Sequence, residues 1–195
     1  APEILLTHPL PDSRLADMRN RSNQIPPKNI NSSLSYYLAK ARLVIMLGHN
    51  KNATQLLLKD YGKINNPQTR IATIYADALI DYKNDNLTSA RNKLQPLLNS
   101  DPNNTWFIDL MTDIDLATNN NAVATDRILK AIKSNPQSHS LQINLANCYI
   151  QDKQNVKAIS LLHRYTLQNS QDIVGWELLE LAYKGQRQRA QEMSS

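Results

Sequence analysis

The sequence predicts an all-α chain, a superhelical stack of antiparallel helix hairpins, and three observations carry this. Stretches of the chain match when one is slid 34 residues along another: Ala90, Leu97 and Pro102 fall on Ala124, Ala131 and Pro136, and Ala158 stands another 34 residues on. Small residues recur at two places in each copy. Ala41, Ala78, Thr112 and Ala146 occupy repeat position 8, and Ala53, Ala90, Ala124 and Ala158 occupy position 20, where two helices cross too closely for a longer side chain. Four glycines in 195 residues, with no alternating β-branched run, argue against a sheet. A period of 34 residues is that of the tetratricopeptide (TPR) class, whose helix pairs cannot bury their apolar faces alone and therefore stack. The groove of such a TPR-type stack binds other polypeptides. Recognition is thus expected before catalysis.

The elements follow in order. Residues 1–30 lie outside the repeats. Pro9 and Pro11 hold the "HPLP" stretch extended, and Asp12 or Ser13 can cap a helix through Leu15, Met18 and Arg19. Residues 31–195 form the repeat domain, with at least seven helices from about Ser33 onward. The hairpin turns are "GHNKN", "KNDN", "TNNN" and "QDKQ", whose Asn and Asp residues tolerate left-handed backbone. Pro67, Pro102, Pro136 and then Ser170 mark where the second helix of each hairpin ends. The step from Ala53 to Ala90 is 37 residues, which places a three-residue insertion near "GKINN". Trp176, Leu179 and Tyr183 open one more copy, which has no second helix, so the last repeat reads as truncated.

Composition bounds the function. At 41% hydrophobic, 6% aromatic and mean hydropathy −0.50, the chain suits a thin, elongated core. No apolar run approaches the ~18 residues that span a bilayer, and no signal peptide opens the sequence. A net charge of +5 admits nucleic acid. Lys and Arg are scattered, however, in groups no larger than Arg14, Arg19 and Arg21 or Arg187 and Arg189, with no basic helix and no zinc-finger spacing, so no nucleic-acid partner is expected. There is no H-E-x-x-H, no glycine-rich phosphate loop and no G-x-S-x-G, so no catalytic residue is assigned. Cys148 reads as a small buried apolar side chain. His8, His49, His139 and His163 include no pair three or four residues apart that could grip a metal from one helix face, and no cofactor is expected in this chain.

Positions 2, 5, 9, 12 and 13 of the first helix in each hairpin are expected to face the concave side. There the register puts Arg42, Tyr75, Tyr82, Lys83, Trp106, Asp109, Asp113, Asn147 and Glu177. Aromatic bodies amid charged and amide groups make a peptide-binding surface, with area from the rings and orientation from the polar tips. Packing between hairpins is the competing role for Tyr75 and Trp106.

The head also carries a resemblance. T-H-P at residues 7–9, followed by Arg14 and Leu15, resembles the end of the peptidase domain in H-E-x-x-H zinc metallopeptidases. With TPR repeats directly after it, and with "YLAKAR", "LQPLL", "DLMTDIDL" and "LQINLANCYIQ", the chain resembles the C-terminal TPR region of the BepA-type periplasmic metallopeptidase–chaperones. The resemblance implies a protein-interaction module in the periplasm of a Gram-negative bacterium, recruiting β-barrel assembly machinery and misassembled outer-membrane clients, with peripheral outer-membrane association. It makes residues 1–30 the tail of a peptidase domain, puts a zinc ion in the full-length protein, and matches His8 to a histidine that can add to the zinc and hold the protease inactive. The alternative is a free-standing TPR adaptor or assembly factor with no protease link, which has no use for the T-H-P-x-x-x-x-R head.

Overall fold

The structure, a computed structural model, describes residues 32–48 and 51–192. They hold nine α-helices and no strand, and Ser33–Ser195 form one compact unit. The helices are α1 (Leu34–Arg42), continued by a π-helical turn (Leu43–Leu47), α2 (Lys51–Ile64), α3 (Pro67–Lys83), α4 (Leu87–Ser100), α5 (Thr105–Ala117), α6 (Asn121–Ser134), α7 (His139–Gln151), α8 (Asn155–Gln168) and α9 (Ile173–Glu192). Odd and even helices pair as hairpins, and α9 has no even-numbered partner among the described residues. His8, Arg14 and the helix expected through Leu15 lie outside the described residues.

The repeat is written in the backbone as well as in the sequence. Each hairpin turn from the second onward contains one non-glycine residue in the left-handed region: Asp85 (φ 62°), Asn119 (φ 58°) and Lys153 (φ 56°). These are spaced at the repeat period. The next N–H of each turn reaches back to a helix carbonyl: Asn86 to Asp81 at 2.8 Å, Asn120 to Asp115 at 2.7 Å and Gln154 to Tyr149 at 2.8 Å. This six-residue closure satisfies carbonyls that a helix end would otherwise leave bare.

The small residues sit where the register puts them. Ala78, Ala90, Ala124, Ala146 and Ala158 are fully buried, as are Ala41 and, with 1% exposure, Thr112. Ala53 is half-buried, so the first hairpin closes differently. There Tyr61 of α2 donates to the Tyr37 carbonyl at 2.6 Å, and the two rings stand edge to face.

The three-residue insertion is taken up as helix. The corner after α2 is only Asn65 and Asn66, and α3 runs 17 residues against 13 for α5 and for α7. Pro67 therefore starts α3 and does not end α2. It occupies the first helical turn, where its missing N–H costs nothing. Before it, Asn66 accepts from the Thr69 N–H at 2.8 Å while Thr69 Oγ1 accepts from the Asn66 N–H at 3.0 Å, a reciprocal cap.

Between hairpins, the core forms where each odd helix meets the even helix before it. Phe107, Met111 and Ile114 are buried on α5, and Leu141, Leu145 and Cys148 on α7. Asp115 is also buried there, within 2.6 Å of Arg91 on α4 and 2.5 Å of Arg127 on α6, so one carboxylate ties three helices. Odd helices pack on the next odd helix along the stack, α1 on α3 through to α7 on α9, whereas successive even helices scarcely meet. The stack therefore curves with the odd helices on its inner side.

Candidate functional site: the polar cluster on the odd helices

The inner side of the odd helices carries one polar cluster drawn from four of them. Arg42, at the end of α1, reaches two carboxylates on successive turns of α5: its Nη1 is 2.7 Å from Asp109 and its Nη2 is 3.3 Å from Asp113. The same Nη1 stands 3.5 Å from the Tyr75 hydroxyl of α3. On the far side Asn144 of α7 donates to Asp109 at 2.7 Å. All three charged side chains are about a quarter exposed, so the cluster is screened from water without being sealed from it.

One guanidinium faces two carboxylates, and the titration of the group reflects that imbalance. Burial, then the neighbouring Asp109 charge, pushes the Asp113 carboxyl up to about 6, against the pull of Arg42. Burial pushes the Tyr75 hydroxyl up to about 12, and raises Tyr82 as well. Burial opposes the Arg42 charge, but Asp109, Tyr75 and Asp113 together outweigh it, and its pKa is raised.

Of the residues expected on this face, Arg42, Asp109 and Asp113 come together. Tyr82 is half-buried beside them, and Asp113, Arg42 and Asp109 all influence its ring hydroxyl electrostatically. Trp106, one turn before Asp109, is half-buried and leans on the core. Asn147 is half-buried on α7, and Glu177 is exposed on α9, where Asn144 and Asp109 do not reach it.

Two expectations are corrected. Tyr75 is fully buried with its ring against Phe107, because Arg42 lies over it; only its hydroxyl meets the cluster. Lys83 turns away to the end of α1, where its Nζ donates to the Ile45 and Gly48 carbonyls.

Asn144 was not foreseen, since it falls at repeat position 6. Neither was the adjoining cavity of about 250 Å3, lined by Asp109, His139, Asn144, Tyr165 and Asp172 among others. The sequence did hold a signal for the charge: α5 and α7 together carry three aspartates and no Lys or Arg.

No reactive centre accompanies the cluster. Cys148 is buried, and burial raises its thiol to about 11, far from a working nucleophile. Among the described residues no group of three His, Cys, Asp or Glu side chains could hold a metal. No helix among them is long and apolar enough to cross a membrane.

No protein-family model matches the chain. It is 45% identical over 194 residues to the beta-barrel assembly-enhancing protease of Yersinia pestis and 45% identical over 197 residues to that of Escherichia coli K12, covering 100% of this chain in both cases. A putative beta-barrel assembly-enhancing protease of Vibrio cholerae is 30% identical over 182 residues, 93% of this chain. The chain spans 40% of the length of the first two relatives and 38% of the third.

Proposed function

Because the whole chain is homologous to one region of the beta-barrel assembly-enhancing proteases, the family whose BepA-type head and repeat register it resembles, we propose that it is the partner-recognition module of such a protein. In this reading the TPR-type stack works in the periplasm. Its inner face holds an extended or helical segment of the outer-membrane assembly machinery or of a misassembled outer-membrane client. The observation that supports this is the convergence of Arg42, Asp109 and Asp113 on the inner side, where folding a helical stack calls for no charge. Tyr82 and Trp106 flank them as half-buried aromatic surface; Asn147 and Glu177 extend the polar face along α7 and α9. Peptidase chemistry belongs to the longer relatives, since these 195 residues contain no H-E-x-x-H. On the same reading residues 1–30 are the tail of a zinc peptidase domain, and His8 is an additional, inhibitory zinc ligand.

The test is to change Tyr82 and Asp109 to Ala together, confirm unchanged helicity, and measure crosslinking to envelope proteins from photo-reactive side chains placed at Trp106 and Asn147. Loss of the crosslinks supports the inner face. Undiminished crosslinking moves the binding surface elsewhere on the chain.

A further inference from the structure

A cavity of about 670 Å3 lies away from this cluster, between the π-helical end of α1, α2 and the last turn of α3. The π turn widens the end of α1 at the same place, a distortion often found at functional sites. The recess is within the size range that holds small ligands.

Its lining is of two kinds. Ile45, Met46, Leu58 and Ile80 give apolar walls, and Lys51 and Lys83 stand at the rim with no carboxylate among the lining residues. Lys83 is held in place by two carbonyl oxygens, Ile45 and Gly48, which fix the ammonium without neutralising it. An ammonium has three N–H donors, so one is left to give. Neither lysine has a carboxylate within ion-pair distance among the described residues.

We propose that this recess docks a short polypeptide segment in which an acidic side chain lies beside a large apolar one: the apolar group enters between Leu58 and Ile80, and the carboxylate meets Lys51 and Lys83. The site shares no residue with Arg42, Asp109 or Asp113, so its failure would leave the inner-face reading intact.

The probe is acetyl-Phe-Asp-Leu-amide, whose only carboxylate is the Asp side chain, titrated into the full 195-residue chain with 13C-labelled methyl groups. Saturable shifts are expected at the Ile45, Leu58 and Ile80 methyls. Exchanging Asp for Asn in the probe should weaken binding roughly tenfold, the ordinary worth of a charge-assisted hydrogen bond. Lys51→Gln, an exposed change that leaves the Lys83 contacts alone, should weaken it severalfold. Lys83→Gln would also loosen the end of α1, so Lys51→Gln carries the test. Absence of saturable shifts at these methyls, equal binding of the Asn probe, or binding indifferent to Lys51→Gln would each overturn the proposal.

Discussion

Asp113 and Asp115 stand two residues apart on α5 and have opposite surroundings. Asp115 is fully buried between two arginines. Removing a buried carboxylate leaves its partners as uncompensated charges, so Asp115→Ala should cost about 3–5 kcal/mol, read from urea midpoints. Asp113 is partly exposed, and its carboxyl is held near 6, above the 3.8 of an unhindered aspartate. Between those pH values the folded chain binds more protons here than the unfolded chain does. This group's contribution therefore rises as pH falls from 7 toward 4, against the usual direction of acid denaturation. Asp113→Asn removes that dependence. The variant's stability relative to wild type should be more favourable at pH 7.5 than at pH 4.5, and an unchanged difference between the two pH values would contradict the assignment.

At the scale of the element, the turns carry the sharpest expectation. Asp85, Asn119 and Lys153 share one left-handed backbone position, but only Asp and Asn adopt it with ease; lysine at φ 56° is strained by its Cβ. Lys153→Gly should raise stability by about 0.5–1 kcal/mol in thermal or urea unfolding, while the same change at Asn119 should gain less. Here the sequence was legible in outline: Asn- and Asp-rich turns announced left-handed backbone, and the spaced alanines located the helix crossings. The helix lengths were not legible. The 37-residue step showed that three residues were inserted but not that Asn66 and Thr69 would cap them into an early start for α3. The site was legible only where direction alone decides the outcome. Repeat positions 5 and 9 led to Asp109, Asp113 and Arg42, yet position 5 also led to Tyr75, which another residue's side chain covers. Lys83 was misplaced because a four-carbon stem can reach carbonyls 35 and 38 residues earlier, a choice that no helical register encodes.

In the whole molecule, most contacts join a hairpin to its neighbour, which is the condition for near-independent repeats. The Arg42 cluster departs from it, since Arg42 belongs to the first hairpin while Asp109 and Asp113 belong to the third. That contact should couple the opening of α1 and α2 to the opening of α5. Arg42→Ala should lower the free energy at which α1 and α2 amides exchange with deuterium by about 1–3 kcal/mol, with smaller change in α7 and α8. Equal effects along the chain would show that the arginine stabilises the stack without coupling its parts.

The same bond has a mechanical meaning. A stack held only by neighbour contacts and pulled at its two ends peels one hairpin at a time, each release lengthening the tether by one repeat. With Arg42 fastened to α5, the second hairpin lies inside a closed span and cannot be paid out while that fastening holds. Under tension in an optical trap the first release should therefore be a double step, two hairpins long, and Arg42→Ala should divide it into two single ones.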